Sequence, residues 1–129
     1  MINPDSVGRT FKGVEHVTVT QEQINSFAAV IGETNTDVAP PTFSIRITLD
    51  QMQKILSSSE VNLDWSRLVH GDQRFEINRP IKAGDALTCS STIESYKVAA
   101  GNESVTVRGD LFSGSELVVS TWSTLVVRA

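Results

Sequence analysis

A run of apolar residues at helical spacing in the middle of the chain constrains the fold more than any other feature. From Thr42 onward, apolar side chains recur at positions i, i+4, i+7 and i+11, namely Ile45, Leu49, Met52 and Leu56. Three further apolar residues widen this surface almost all round: Phe43, Ile47 and Ile55. A helix that is apolar on most sides must be buried. The rest of the chain must therefore cover a central helix that ends at Ser57 to Ser59.

The second half of the chain predicts the element that covers this helix. Four segments are rich in alternating or β-branched residues, which is typical of strands: 68–77, 86–98, 103–112 and 117–127. Short turn sequences join the last three as antiparallel hairpins. A curved antiparallel sheet wrapped around one long central helix satisfies these patterns. We therefore expect one α+β domain over residues 1–129, which is a common domain size.

The first half contains a shorter helix and a polar loop. Thr20 and Gln23 have the spacing of a capping box, and Gly32 is a typical helix end, so we predict a helix from about 21 to 31. A short extended segment, Glu15–Val19, precedes it. The segment Glu33–Pro41 has two prolines and several turn-forming residues, which exclude regular structure.

Charge and composition exclude several functional classes. The net charge is −4, which is not the electrostatic footprint of a nucleic-acid-binding protein. A mild concentration of basic residues is either a solvated sheet edge or a docking patch for an acidic or phosphorylated partner: Arg67, Arg74, Arg79 and Lys82. The single cysteine, Cys89, excludes an intrachain disulfide and is predicted to be a small strand residue.

No segment predicts membrane insertion. Residues 1–12 lack the apolar core of a signal peptide, and no run approaches the roughly 20 apolar residues of a membrane span. We expect a cytoplasmic protein that binds no membrane and no nucleic acid, and we predict no metal and no cofactor.

Three segments give the sequence a resemblance to a known family. They are Phe27–Asn35, Ala39–Phe43 and Gln73–Asp85, the last followed by Leu87-Thr88. In their order and spacing, and in the C-terminal Thr124–Ala129, the chain resembles the MaoC-like hot-dog dehydratases and hydratases, in particular the FAS1-like group that matches the N-terminal half of double hot-dog enzymes. Within it, the chain looks like the accessory subunits of (3R)-hydroxyacyl-carrier-protein dehydratases of the mycolic-acid type.

The resemblance implies a hot-dog fold and chemistry on acyl thioesters. Members of the family pair with a second hot-dog chain and hold acyl groups in pockets at the dimer interface. They act on 3-hydroxyacyl or trans-2-enoyl thioesters of coenzyme A or acyl carrier protein. The resemblance therefore implies an acyl-CoA or acyl-ACP substrate, and a homodimer or a heterodimer with another hot-dog chain.

The catalytic motif of the family is incomplete in this sequence. Dehydration needs an acid and a base beside the substrate, and the family supplies an Asp and a His in a motif like D-x-N-P-x-H. Laid on this chain, the Asp corresponds to Glu33, the Asn to Asn35, the Pro to Thr36 and the His to Val38. A valine cannot transfer a proton, and Glu is one methylene longer than Asp, which misplaces a base.

Other residues are candidates for the site. Glu33 and Asp37 are the remaining candidates for a catalytic carboxylate. Four residues are candidates for substrate binding: Asn35, Thr42, Phe43 and Ile47. The two histidines, His16 and His70, are expected to be exposed strand residues rather than replacements for the missing one.

Three hypotheses of function follow. The first is a dehydratase subunit that is non-catalytic alone and shapes the acyl pocket for a partner carrying Asp and His. The second is a homodimeric hot-dog thioesterase, in which Glu33 or Asp37 activates water. The third is a non-enzymatic protein that binds acyl ligands. A fold alone does not choose among these.

Overall fold

The computed structural model describes residues 1–13 and 15–129. Its helices and strands are, in chain order, β1 (Thr10–Lys12), β2 (Val17–Thr18), α1 (Gln21–Ile31), α2 (Ile45–Leu56), β3 (Leu68–Ile77), β4 (Ala86–Ala99), β5 (Asn102–Ser113) and β6 (Glu116–Val127). Short 3-10 turns at Pro4–Ser6 and Trp65–Arg67 precede β1 and β3. The four long strands lie within one or two residues of their predicted bounds.

The strands form one antiparallel sheet in the order β1-β4-β5-β6-β3, and β2 pairs with β4. Helix α2 packs on one face of this sheet, against β4 and β5. On β5, buried Val105, Val107 and Leu111 alternate with half-buried polar residues. The core therefore lies between α2 and this face of the sheet, as a strand period of two requires.

Helix α1 has the predicted bounds because local contacts define both ends. The side chain of Thr20 accepts a hydrogen bond from the Gln23 amide, and the Gln23 side chain accepts one from the Thr20 amide, each at 3.1 Å. Gly32 ends the helix with φ of +76°, a conformation that favours glycine.

Helix α2 differs from the prediction in two ways. It begins at Ile45 rather than Thr42, because residues 41–44 form tight turns in which Phe43 donates to Pro40 and Ile45 donates to Thr42. It is also buried on one side only: Ile47, Thr48, Met52 and Leu56 are buried. The opposite side carries a polar stripe at helical spacing that is exposed in the chain: Arg46, Asp50, Gln53 and Lys54. The expectation of a helix buried on most sides was therefore wrong for the chain alone.

Candidate functional site

The loop between α1 and α2, residues 32–44, contains most of the predicted site residues. Two hydrogen bonds position its backbone. The side-chain amide of Gln21 on α1 donates to the Thr36 carbonyl at 2.8 Å, and the Ala39 amide donates to the Ile81 carbonyl at 2.7 Å. The loop is thereby held between α1 and the segment that leads into β4.

Two polar side chains of this loop, those of Glu33 and Asn35, accept hydrogen bonds from its own backbone. The Glu33 carboxylate accepts a hydrogen bond from the Asn35 amide at 2.9 Å, and the Asn35 side chain accepts one from the Asp37 amide at 3.0 Å. Glu33, Asn35 and Asp37 are all exposed. These hydrogen bonds stabilise the turn. Roles of the three residues in catalysis or substrate binding stay predictions.

Val38 faces a small apolar pocket of about 140 Å³. The pocket, here called the Val38 pocket, lies between the loop, β3, β6 and the segment before β4. Its lining residues are Val38, Ala39, Pro40, Pro41, Ile77, Pro80, Ile81 and Val119. All of these side chains are apolar, so the pocket fits a hydrocarbon group and offers no side chain that transfers a proton.

An ion pair supports the wall of the Val38 pocket that carries Pro80 and Ile81. The Arg79 guanidinium donates to both carboxylate oxygens of Asp85, at 2.9 and 3.2 Å, and the Lys82 amide donates to the same carboxylate at 2.9 Å. Burial disfavours the ionised form of Asp85, but these hydrogen bonds outweigh it and hold the pKa of the carboxyl below its ordinary value.

This pair predicts a loss of stability in acid. A depressed folded-state pKa means that the stabilisation is complete above the unfolded pKa of about 3.9 and is lost as pH falls through the lower folded pKa. We expect the free energy of unfolding of the wild type to fall more steeply below pH 4 than that of Asp85→Asn. Urea unfolding at pH 7, 4 and 3 measures this, and equal pH dependence in both proteins would contradict it.

The predicted substrate-binding residues divide into two groups. Phe43 and Ile47 are buried in the core, where the Phe43 ring makes an edge contact with Phe27 at a centroid distance of 5.5 Å. Thr42 and Asn35 are exposed and lie outside the Val38 pocket. The structure therefore brings together only two of the four, and no role in substrate binding is established for any of them.

The remaining candidates lie apart from this loop. Burial raises the pKa of the Cys89 thiol to about 12, so it is protonated at neutral pH and lacks the thiolate that a nucleophile requires. His16 and His70 are both exposed, and a ring nitrogen of His70 lies within hydrogen-bonding distance of the Asp72 carbonyl, at 3.0 Å.

The predicted basic concentration does not form a single free patch. Arg67 pairs with Asp64 at 2.8 Å, and Arg79 pairs with Asp85 and Glu116. Arg74 lies over the Trp122 ring, 4.2 Å from its centroid.

Among residues 1–13 and 15–129, no three His, Cys, Asp or Glu side chains converge to hold a metal ion. The described helices include none with the length and apolar character needed to cross a membrane.

The Val38 pocket was not predicted from the sequence. Its walls come from two proline-containing segments, Ala39–Pro41 and Arg79–Ile81, that are far apart in sequence and are joined by the hydrogen bond from Ala39 to Ile81. The available signal was the three prolines Pro40, Pro41 and Pro80, each next to an apolar residue or another proline in a segment without regular structure.

Comparison with known proteins identifies relatives of this chain. Residues 36–111, more than half of the chain, match the family described as FAS1-like, dehydratase domain region. A UPF0336 protein of Streptomyces coelicolor is 39% identical over an alignment of 139 positions. The alignment covers 95% of this chain and 93% of that protein.

Two solved complexes from Mycobacterium tuberculosis share the fold. The C-terminally truncated HadBC (3R-hydroxyacyl-ACP dehydratase) complex contains a chain with a TM-score of 0.81 and 24% identity, and the match covers 95% of this chain and 97% of that one. The ChsH1-ChsH2 complex contains a chain with a TM-score of 0.66 and 16% identity, and the match covers 92% of this chain and 87% of that one. These likenesses confirm the predicted fold, an antiparallel sheet packed on one long helix.

Proposed function

This chain belongs to the family of FAS1-like dehydratase-domain proteins, and on that premise we propose that it is a subunit of a (3R)-hydroxyacyl-thioester dehydratase. In this proposal one hot-dog domain over residues 1–129 shapes the acyl pocket and supplies no acid–base group. A second hot-dog chain brings the Asp and His. The observation that carries the proposal is the apolar Val38 pocket at the position where the family has its histidine.

The exposed edge of the sheet supports a partner. Strand β3 ends the sheet, so the outer side of its ten-residue backbone has no strand beside it among the described residues. Val69 and Ile77 on this strand are 43% and 41% exposed. A long unpaired edge with exposed apolar residues favours pairing with another strand.

An uncovered groove along α2 supports the same partner. The half-buried residues Ile45, Leu49 and Trp65 line a groove of about 410 Å³ along α2. Unlike the buried side of α2, this side has no described element packed over it. A second hot-dog chain that pairs with β3 would cover the groove as well as the edge. The substrate in this proposal is an acyl group carried on ACP or coenzyme A.

Co-expression tests the proposal. We expect this chain to copurify with a hot-dog dehydratase chain that has an intact D-x-N-P-x-H motif, and the pair to hydrate a long-chain trans-2-enoyl-CoA faster than the partner alone. Val69→Lys, on the β3 edge and outside the Val38 pocket, should weaken the association by at least about tenfold. The matched control, Val98→Lys, replaces an exposed apolar residue at the β4–β5 hairpin and should leave association unchanged.

Three results would overturn this function. One is the absence of association with any such partner, and another is full long-chain activity of the partner by itself. The third is hydrolysis of acyl-CoA by this chain alone that is lost in Glu33→Ala or Asp37→Ala, which would make it a thioesterase.

A further inference from the structure

A second cavity lies at the opposite end of the sheet from β3. It has a volume of about 310 Å³ and is bounded by α2, α1, β2 and β4. None of its lining residues belongs to the Val38 pocket. This volume is at the lower end of the range for small-ligand sites. We call it the α2–β2 cavity.

The α2–β2 cavity has an apolar floor and a charged rim. Its floor consists of the buried residues Phe43, Ile47 and Cys89, and the exposed Val17 lies at its edge. Its rim consists of Glu15, Gln23, Arg46, Asp50, Gln51 and Lys54. A protonated cysteine behaves as a small apolar residue, so the floor carries no charge. A ligand that fills this cavity therefore needs an apolar body and a polar end.

Arg46 is the cation at the rim that is available to a ligand. Lys54 is already paired with Asp50 at 3.4 Å, whereas no ion pair of the described residues includes Arg46. The Arg46 guanidinium lies 5.7 Å from the centroid of the Phe43 ring. This cation–π contact holds the charge directly above the apolar floor.

We propose that the α2–β2 cavity binds a small alkyl monocarboxylate, with its carboxylate on Arg46 and its alkyl chain against Phe43 and Ile47. The planar guanidinium matches a carboxylate with two parallel hydrogen bonds. The acidic rim residues Glu15 and Asp50 repel a doubly charged phosphate group more strongly than a singly charged carboxylate. The site needs neither a partner chain nor a thioester, and it is tested on this chain alone, because Arg46 and Asp50 also line the groove along α2 that the proposed partner would cover.

Calorimetric titration of the full chain with butanoate, hexanoate and octanoate tests the site. Each added methylene should raise the affinity by about fourfold until the cavity is full. Arg46→Gln should lower the affinity for octanoate at least tenfold. Arg74→Gln, the same substitution on the Trp122 face of the sheet, should leave it within twofold.

A variant that fills the cavity separates it from other apolar sites. Val17 is 39% exposed on β2, so Val17→Trp places an indole in the cavity without displacing the core. It should abolish octanoate binding while the thermal melt of the chain stays unchanged. The proposal is overturned if no carboxylate binds or if the affinity does not depend on chain length. It is also overturned if Arg46→Gln and Arg74→Gln have the same affinity for octanoate, or if a folded Val17→Trp binds octanoate as tightly as the wild type.

Discussion

Gly109→Ala is expected to lower the free energy of unfolding by about 3 kcal/mol, because a methyl group at this position of β5 would overlap with side chains of α2 and β6. A Cβ atom at Gly109 would lie 2.9 Å from the Thr121 hydroxyl and 3.1 Å from the Thr48 methyl group. Thr48 and Thr121 are both fully buried, so neither has space to move away. Urea unfolding should give a lower midpoint with an unchanged slope.

Two further variants isolate this contact. Gly71→Ala is the matched control, since a Cβ at this strand glycine meets nothing closer than 3.5 Å. It should change stability by less than about 0.5 kcal/mol. Thr48→Ser removes the methyl group but keeps the hydroxyl that donates to Ser44. Combined with Gly109→Ala, Thr48→Ser should restore about 1 kcal/mol of the lost free energy of unfolding. If the effects of the two substitutions simply add, the contact with the helix is not the cause of the loss.

The fold was largely predictable because local patterns decide most of it. The ends of α1 follow from the Thr20–Gln23 capping box and from Gly32, all within one helix length. The strands follow from alternation and from the turns at Gly101 and Gly114, both of which have positive φ. The start of α2 was not predictable, since the apolar pattern begins at Phe43 while the backbone still turns there.

The burial of α2 was misjudged for a related reason. Apolar residues occur on most sides of the helix, but the polar residues between them form one exposed line along it, from Arg46 to Lys54. Ile45 and Leu49 are half-buried beside that line. A single sequence does not distinguish an apolar residue that its own chain covers from one that a partner covers.

The candidate site depends on contacts that the sequence does not specify locally. The motif alone aligns the family's histidine with Val38. The residues that surround Val38 in the structure include Ile81 and Val119, which are distant from it in sequence. Glu33 and Asn35 have the residue types of a catalytic loop, yet in the structure they accept hydrogen bonds from the loop backbone. Residue type therefore predicts a candidate site in this loop, but it did not predict that the Glu33 and Asn35 side chains bond to the loop backbone.

In the proposed complex, the acid–base chemistry should depend on the partner only. Replacing the partner's motif histidine with alanine is expected to lower kcat for enoyl-CoA hydration by about 10³, because general acid–base catalysis contributes on the order of 10²–10⁴. Glu33→Ala and Asp37→Ala in this chain should leave kcat within about twofold, since both carboxylates are exposed and neither lines the Val38 pocket. Steady-state rates of the purified complex measure both effects.

A third variant tests the role that remains for this chain. Val38→Asp introduces a charge into a pocket that has only apolar walls, and burying it without a partner is costly. If the Val38 pocket receives the acyl chain, KM for a long-chain substrate should rise by about tenfold while kcat is retained, and a short-chain substrate should be unaffected. Val38→Leu keeps the pocket apolar and is the matched control. A fall in kcat with either carboxylate variant would instead assign the chemistry to this chain, and an unchanged KM in Val38→Asp would separate the Val38 pocket from the substrate.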